Sequence, residues 1–363
     1  VILKDGKTMY DHAFGTHAGK GSALVRPTDL YDLASLSKTT GTLLALMKLY
    51  DRGRFNLSDK LSDYLPWLQR TNKKDMTIRE LLLHQSGLPA GIVLYPEAID
   101  KESYKGRLFS ARKDALHPLR LGATTWANPN FHFKPETLSR TRNANYTLQI
   151  CDSLWLNKSF IKVIQEKIIE APLGAKQYRY SDVGFILLRF LAEQLAGMPM
   201  DEYLAREFYE PMGLERTLYL PLQRIPKVQI VPSANDKFLR KCVLQGFVHD
   251  ESAAFQGGVS GNAGLFSNAR EVASIYQMLL NGGELNGCRY LSNETCQLFT
   301  TEISKISRRG LGFDKPDAKS PDKSPCSESA PASVYGHTGF TGTCAWVDPE
   351  NDLVYVFLSN RTY

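Results

Sequence analysis

The feature that most constrains this chain is the placement of its strand-forming segments at its two ends, with helix-forming segments between them. Val1-Ile2-Leu3-Lys4 runs into the turn signal Asp5-Gly6, and the strong strands Cys344–Val347 and Leu353–Leu358 flank Asp348-Pro349-Glu350-Asn351 near the other end. Strands this far apart in sequence find partners only if the two ends come together. The expected fold is therefore α+β: one antiparallel β-sheet closed by both termini and flanked by helices, with an inserted, mainly helical lobe. The sheet lobe is expected to take 1–53 and 215–363, and the helical lobe 54–214. A loop-rich insertion is expected at about 91–150, where aromatics, prolines and asparagines interrupt any clean period.

The helical reading rests on spacing and caps. Leu36, Thr40, Leu43, Leu44, Met47 and Tyr50 recur at helical intervals until Gly53. Thr77 and Glu80 have capping-box spacing ahead of Leu81-Leu82-Leu83, and Gly87 and Pro89 stop that helix. Further helices are expected at 159–170, 183–195, 200–209 and 269–281, and 314–332 reads as a surface loop.

Composition excludes several classes of function. No apolar run reaches the ~20 residues of a membrane helix. The net charge of +6 comes from scattered Lys and Arg rather than one basic face, so no nucleic-acid partner is expected. Six cysteines occur without a CxxC pair, which argues against structural zinc and suits free or buried thiols better than a disulfide framework. His12, His17, His84 and His249 lack metal-ligand spacing, so neither a metal site nor a cofactor is expected.

Ser-x-x-Lys occurs four times, at Ser35–Lys38, Ser110–Lys113, Ser159–Lys162 and Ser320–Lys323. Only the first opens a strongly apolar helix. Positions i and i+3 share a helical face, so Lys38 can reach the Ser35 hydroxyl. The field of the helix N-terminus and burial both disfavour an ammonium ion there, so a neutral amine that activates the hydroxyl is expected. Taken alone, Ser35 equally suits a helix cap. Tyr180-Ser181-Asp182 precedes a helix, where Tyr180 could project into a cleft and move the serine proton; alone, the motif reads more simply as a cap with a packed tyrosine. His337-Thr338-Gly339-Phe340 leads into the last strand pair, either as a plain glycine turn or as a strand edge that receives an extended acyl chain. The amides of Phe340 and Ser35 would then form an oxyanion hole, where each donor is commonly worth ~2.7–4 kcal/mol.

In this order the three motifs resemble those of the serine β-lactamase and penicillin-binding protein superfamily, and most nearly its class C β-lactamase-related branch. Leu81-Leu82-Leu83-His84-Gln85-Ser86-Gly87-Leu88-Pro89, Gly261-Asn262-Ala263-Gly264-Leu265-Phe266-Ser267 and Gly336–Gly342 carry the same resemblance. It implies a site between two lobes, with Ser35 as the acylated nucleophile, Lys38 as its partner and Tyr180 as general base. Asp182 stands where the family usually has Asn, and His337 where it usually has a Lys that pairs with the substrate carboxylate. Thr338, Gly339 and Phe340 complete the substrate-binding edge.

The resemblance also implies a serine hydrolase that forms an acyl-enzyme on an ester, amide, β-lactam or D-amino acid peptide. Its partner is a small molecule or short peptide, it needs no cofactor, and it works in the periplasm or elsewhere outside the cytoplasm. The two replacements weaken attraction for anionic substrates and shift the expectation toward esters and neutral or amino-terminal D-amino acid peptides. They also motivate an alternative, a catalytically silent accessory domain that binds peptidoglycan. Similar modules occur fused behind a cell-wall glycoside hydrolase, and a chain that begins within a sheet is compatible with that arrangement.

Overall fold

The two ends of the chain meet in one sheet. A computed structural model describes residues 1–363. Its main sheet has five antiparallel strands in the order Tyr335–Gly339, Thr343–Asp348, Leu353–Phe357, Ile2–Lys4 and Lys7–Tyr10. The register across the closure pairs Ile2 with Tyr355 and Leu3 with Val354. The amino group of Val1 donates to the Val356 carbonyl at 2.8 Å. Strand alternation sorts the faces: Val354 and Val356 are buried, whereas Tyr355 and Phe357 face outward. Asp5 and Gly6 both take positive φ (52° and 68°), as the tight hairpin between the first two strands requires.

The inner face is covered by the helix Ala269–Leu280, which buries Val272, Ile275, Tyr276 and Leu279 at helical spacing. Asn268 caps its first turn. A smaller sheet of Leu218–Tyr219, Leu265–Ser267 and Tyr31–Asp32 lies alongside and delivers the chain to Ser35. Of the helices between the ends, Asp182–Ala196 is the most buried. Ser181 caps it, and Gly197 closes it in the left-handed region. Ile78–Leu82 begins with the Thr77/Glu80 capping box. No single helix is long and apolar enough to cross a membrane.

Two local features depart from the sequence-based expectation. First, the insertion at about 91–150, expected to be loop-rich, gives way from 109 to 157 to six short strands in two three-stranded sheets. Each strand has only two to six residues, and two of the strand pairings shift register, which erases the alternation that would mark them in sequence. Second, the helix expected from Leu36 onward is not continuous. It is a 3₁₀ turn at Ala34–Leu36, a π-helical turn at Lys38–Thr42, and an α-helix only from Leu43 to Asp51. The hydroxyls of Thr39 and Thr40 both donate to the Leu36 carbonyl, at 3.1 and 2.7 Å. They compete with the backbone amide that an α-helix would place there.

Candidate active site

The turn that carries Ser35 is held from every side. Leu33 N–H donates to the Leu265 carbonyl at 3.0 Å. The Asp32 carboxylate accepts from Ala34 N–H at 2.8 Å and His249 N–H at 2.5 Å. From the last hairpin, the Thr341 and Thr343 hydroxyls donate to the carbonyls of Asp32 and Leu33 at 2.7 and 2.9 Å. These contacts fix Ala34 at φ 47°, a strained conformation for a residue with a Cβ, immediately before Ser35. Burial pushes the Asp32 carboxyl up to about 6, although the His249 and Ala34 amides pull the other way. Ser35 itself keeps partial exposure.

Lys38 is fully buried. Its ammonium donates to Ser35 Oγ and to the Asn262 carbonyl, both at 2.9 Å, and forms an ion pair with Asp182 Oδ1 at 2.6 Å. Burial alone would lower its pKa. The Asp182 charge and the neighbouring Tyr180 hydroxyl outweigh burial, so Lys38 is held above the ordinary lysine value. This corrects the expectation of a neutral amine. The resting group is an ammonium that donates to Ser35, because an anion stands at 182 and a carbonyl reaches in from the glycine-rich turn. That turn fits only without a side chain at Gly261, where a Cβ would overlap the Phe185 carbonyl.

The Tyr180 ring lies between two cations, with Lys38 Nζ 5.1 Å and the Arg309 guanidinium 4.9 Å from its centroid. Its hydroxyl is buried without a hydrogen-bond partner. The tyrosine loop is clamped by residues 84–90. Arg179 N–H donates to the His84 carbonyl at 2.9 Å and Ser181 N–H to His84 Nδ1 at 3.0 Å. Ser181 Oγ donates to the Pro89 carbonyl and Asp182 N–H to the Ala90 carbonyl, both at 2.7 Å. The His84 ring lies 4.6 Å from the Tyr180 ring. Burial, then the nearby cations, hold His84 well below the usual histidine range. Because Nδ1 accepts from Ser181, the proton of this neutral ring sits on Nε2.

His337 is also buried and, for the same reasons, held well below the usual range. Its Nδ1 lies 2.6 Å from the Thr338 carbonyl and its Nε2 3.2 Å from Arg309 Nη1. A neutral ring with the proton on Nδ1 satisfies both contacts, so both nitrogens are engaged inside the protein. The cation here is Arg309. It also reaches the Tyr178 hydroxyl at 3.2 Å and the Asp314 carboxylate at 3.1 Å, and Arg308 binds the same carboxylate at 2.8 Å. Beyond His337 the strand edge touches the serine turn: a Cβ at Gly339 would overlap the Leu33 carbonyl and the Thr343 hydroxyl. Thr338 and Phe340 are exposed on that edge. The Phe340 ring lies 5.5 Å from that of His249.

Ser35, Lys38, Tyr180, Asp182, His337 and Gly339 thus form one cluster, with Thr338 and Phe340 at its rim. The other three Ser-x-x-Lys pairs end in exposed lysines at 113, 162 and 323. Three residues that contact this cluster carry no usable signal individually in the sequence. Asn262 contributes through its backbone, Arg309 sits in an unremarkable polar loop, and His84 lies in a segment recognisable only as a block.

The chain is similar to known proteins along its whole length. A family model described as Beta-lactamase matches residues 1–363. An Escherichia coli (strain K12) protein named as a D-alanyl-D-alanine carboxypeptidase is 31% identical, over 100% of this chain and 78% of that protein. An N-acetylmuramyl-L-alanine amidase of Bacillus subtilis (strain 168) is 29% identical, over 100% and 76%. Among solved structures, EstCE1, a hydrolase with promiscuous acyltransferase activity, superposes with a TM-score of 0.65 at 18% identity, covering 99% of this chain and 87% of that one.

Proposed function

Because the chain belongs to the Beta-lactamase family, we propose that it is a serine hydrolase that carries its acyl intermediate as an ester on Ser35. The observation that carries this reading is the Lys38 ammonium, bound at once to Ser35 Oγ, Asp182 and the Asn262 carbonyl beside the unpartnered hydroxyl of Tyr180. An ammonium that donates to Oγ cannot also take the serine proton. The deprotonated Tyr180 oxygen, stabilised by Lys38 and Arg309, takes it as Oγ attacks the acyl carbon. The amides of Ser35 and Phe340 hold the developing oxyanion. Tyr180 then returns the proton to the leaving group, and water hydrolyses the ester and restores Ser35.

The acyl donors are short D-amino acid peptides and their ester analogues. The name of one relative, a D-alanyl-D-alanine carboxypeptidase, supports this class. So does charge: with Tyr180 deprotonated, Lys38, Arg308 and Arg309 balance Asp182, Asp314 and the tyrosine oxygen, which leaves no net negative charge around His337. A substrate carboxylate is therefore not repelled, although His337 is neutral. Such substrates put the protein outside the cytoplasm.

The test is mass spectrometry after treatment with a fluorophosphonate and with penicillin, together with turnover of D-alanyl peptides and nitrophenyl esters. The expected result is one adduct on the Ser35 peptide, lost along with turnover in Ser35→Ala. Labelling that persists in Ser35→Ala, or retained peptide binding with no turnover of any acyl donor, overturns the proposal.

A further inference from the structure

An aromatic ring stands open to solvent beside the Ser35 turn. Phe340 is 63% exposed, yet both of its chain neighbours are fixed to that turn. Gly339 lies against the Leu33 carbonyl, and the Thr341 hydroxyl donates to the Asp32 carbonyl at 2.7 Å. The ring itself is held from two directions. The Arg361 guanidinium lies 5.3 Å from its centroid, and Arg361 Nε donates to the Phe340 carbonyl at 3.0 Å. Arg361 N–H also donates to the Thr341 carbonyl at 3.0 Å. The second neighbour is the His249 ring, its centroid 5.5 Å away and its plane tilted by 36°. His249 is anchored through its N–H to the same Asp32 carboxylate that accepts from Ala34. Burial, then the Arg240 charge, lower the His249 pKa, so its ring is a neutral aromatic surface at neutral pH.

We propose that the Phe340 ring, held by Arg361 and His249, selects the acyl group: it favours acyl donors with an aromatic side chain, such as phenylacetyl esters and D-phenylalanyl peptides, over their acetyl and D-alanyl counterparts. The inference rests on Ser35 as the acylated residue and names the acyl group within that reading. With the Phe340 amide donating to the oxyanion, the acyl carbon sits roughly 4 Å from that amide nitrogen. A phenyl group one or two bonds beyond the acyl carbon then falls within reach of the ring, at the centroid separations of about 4.5–7 Å where aromatic pairs attract. A methyl group at the same place covers little of it. The ring has already lost its freedom to the Arg361 and His249 contacts, so an incoming ring gains apolar contact at little further entropic cost. Arg361 and His249 act through Phe340 and are positioning residues.

The experiment measures kcat/KM of the wild-type protein for p-nitrophenyl phenylacetate and p-nitrophenyl acetate, each divided by its spontaneous hydrolysis rate, and for the dipeptides D-Phe-D-Ala and D-Ala-D-Ala. The aromatic donor of each pair should be favoured by about tenfold or more, from burial of the ring and ring–ring contact together. In Phe340→Ala that ratio should fall toward one. Arg361→Ala and His249→Ala should lower it partway, through a raised KM for the aromatic donor, and Phe340→Tyr should retain it. A wild-type ratio near one, or a ratio that survives in Phe340→Ala, overturns the proposal. If Phe340→Ala does not fold, Phe340→Leu keeps the bulk without the aromatic face, and an undiminished ratio there overturns it as well. Fluorophosphonate labelling of the wild type separates the two readings. A Ser35 adduct together with a ratio near one removes the selectivity alone, whereas the absence of any Ser35 adduct removes both.

Discussion

Asp182→Asn gives the sharpest test of how the site is charged. Asn keeps the shape and an acceptor for Lys38 but removes the anion. The Asp182 side chain retains 29% of its exposure, so an effective dielectric of about 40 is appropriate, and at the observed 2.6 Å the lost attraction is about 3 kcal/mol. With the nearest anion gone, burial dominates, and Lys38 gives up its proton more easily. The rate at which a fluorophosphonate labels Ser35, followed by intact mass from pH 5 to 10, should therefore fall off on its alkaline side at lower pH than in the wild type, where the ammonium beside Ser35 is lost sooner. On that side the variant should label more slowly than the wild type, by up to about a hundredfold, because each 1.36 kcal/mol is tenfold. Stability should fall in parallel across the neutral range, where the ammonium has lost its counter-ion. An alkaline limb that stays in place, or moves to higher pH, would refute the assignment of Lys38 as an ammonium held by Asp182.

Three further substitutions test the supports of the site. His84→Phe fills the same space but leaves Ser181 N–H without its acceptor; urea unfolding should show a loss of about 1–3 kcal/mol, and kcat should fall more than KM rises. If kcat survives, His84 does not position the tyrosine loop. Gly339→Ala drives a methyl into the Leu33 carbonyl, so stability should drop by about 1–3 kcal/mol and Ser35 labelling at least tenfold; unchanged labelling would show that the strand edge is free of the serine turn. Asp32, raised from 3.8 to about 6, keeps a proton in the folded protein that the unfolded chain has already shed, so its contribution is greatest below pH 4 and is lost as pH rises through 6. The stability of the wild type relative to Asp32→Asn should accordingly fall by about 3 kcal/mol between pH 4 and 7, and a difference that does not change with pH would count against that burial.

What sequence alone could reveal divides along local and distant causes. The capping box at Thr77, the closure of the sheet by both ends, and the proximity of Lys38 to Ser35 follow from neighbouring residues or from simple alternation, and all appear in the structure. The charge of Lys38 does not, because it depends on a carboxylate 144 positions away (182 − 38) and a carbonyl 224 positions away. Replacing Lys by His at 337 looks like the loss of a cation until the fold brings Arg309 against the imidazole. The π-helical turn after Ser37 comes from two threonine hydroxyls competing for one carbonyl, a contest that periodicity cannot register. The short strands of 109–157 each bury too little of one face to leave a pattern.

Because the sheet pairs Ile2 with Tyr355, its oldest and newest strands during synthesis are direct neighbours. The opening hairpin can find its mate only after the whole stretch between these residues has been made, and contact order this high favours slow assembly. The strand that lays Gly339 on the Ser35 turn comes late in that stretch. Copies that stop short of it therefore leave the Ser35 turn without the edge that braces it.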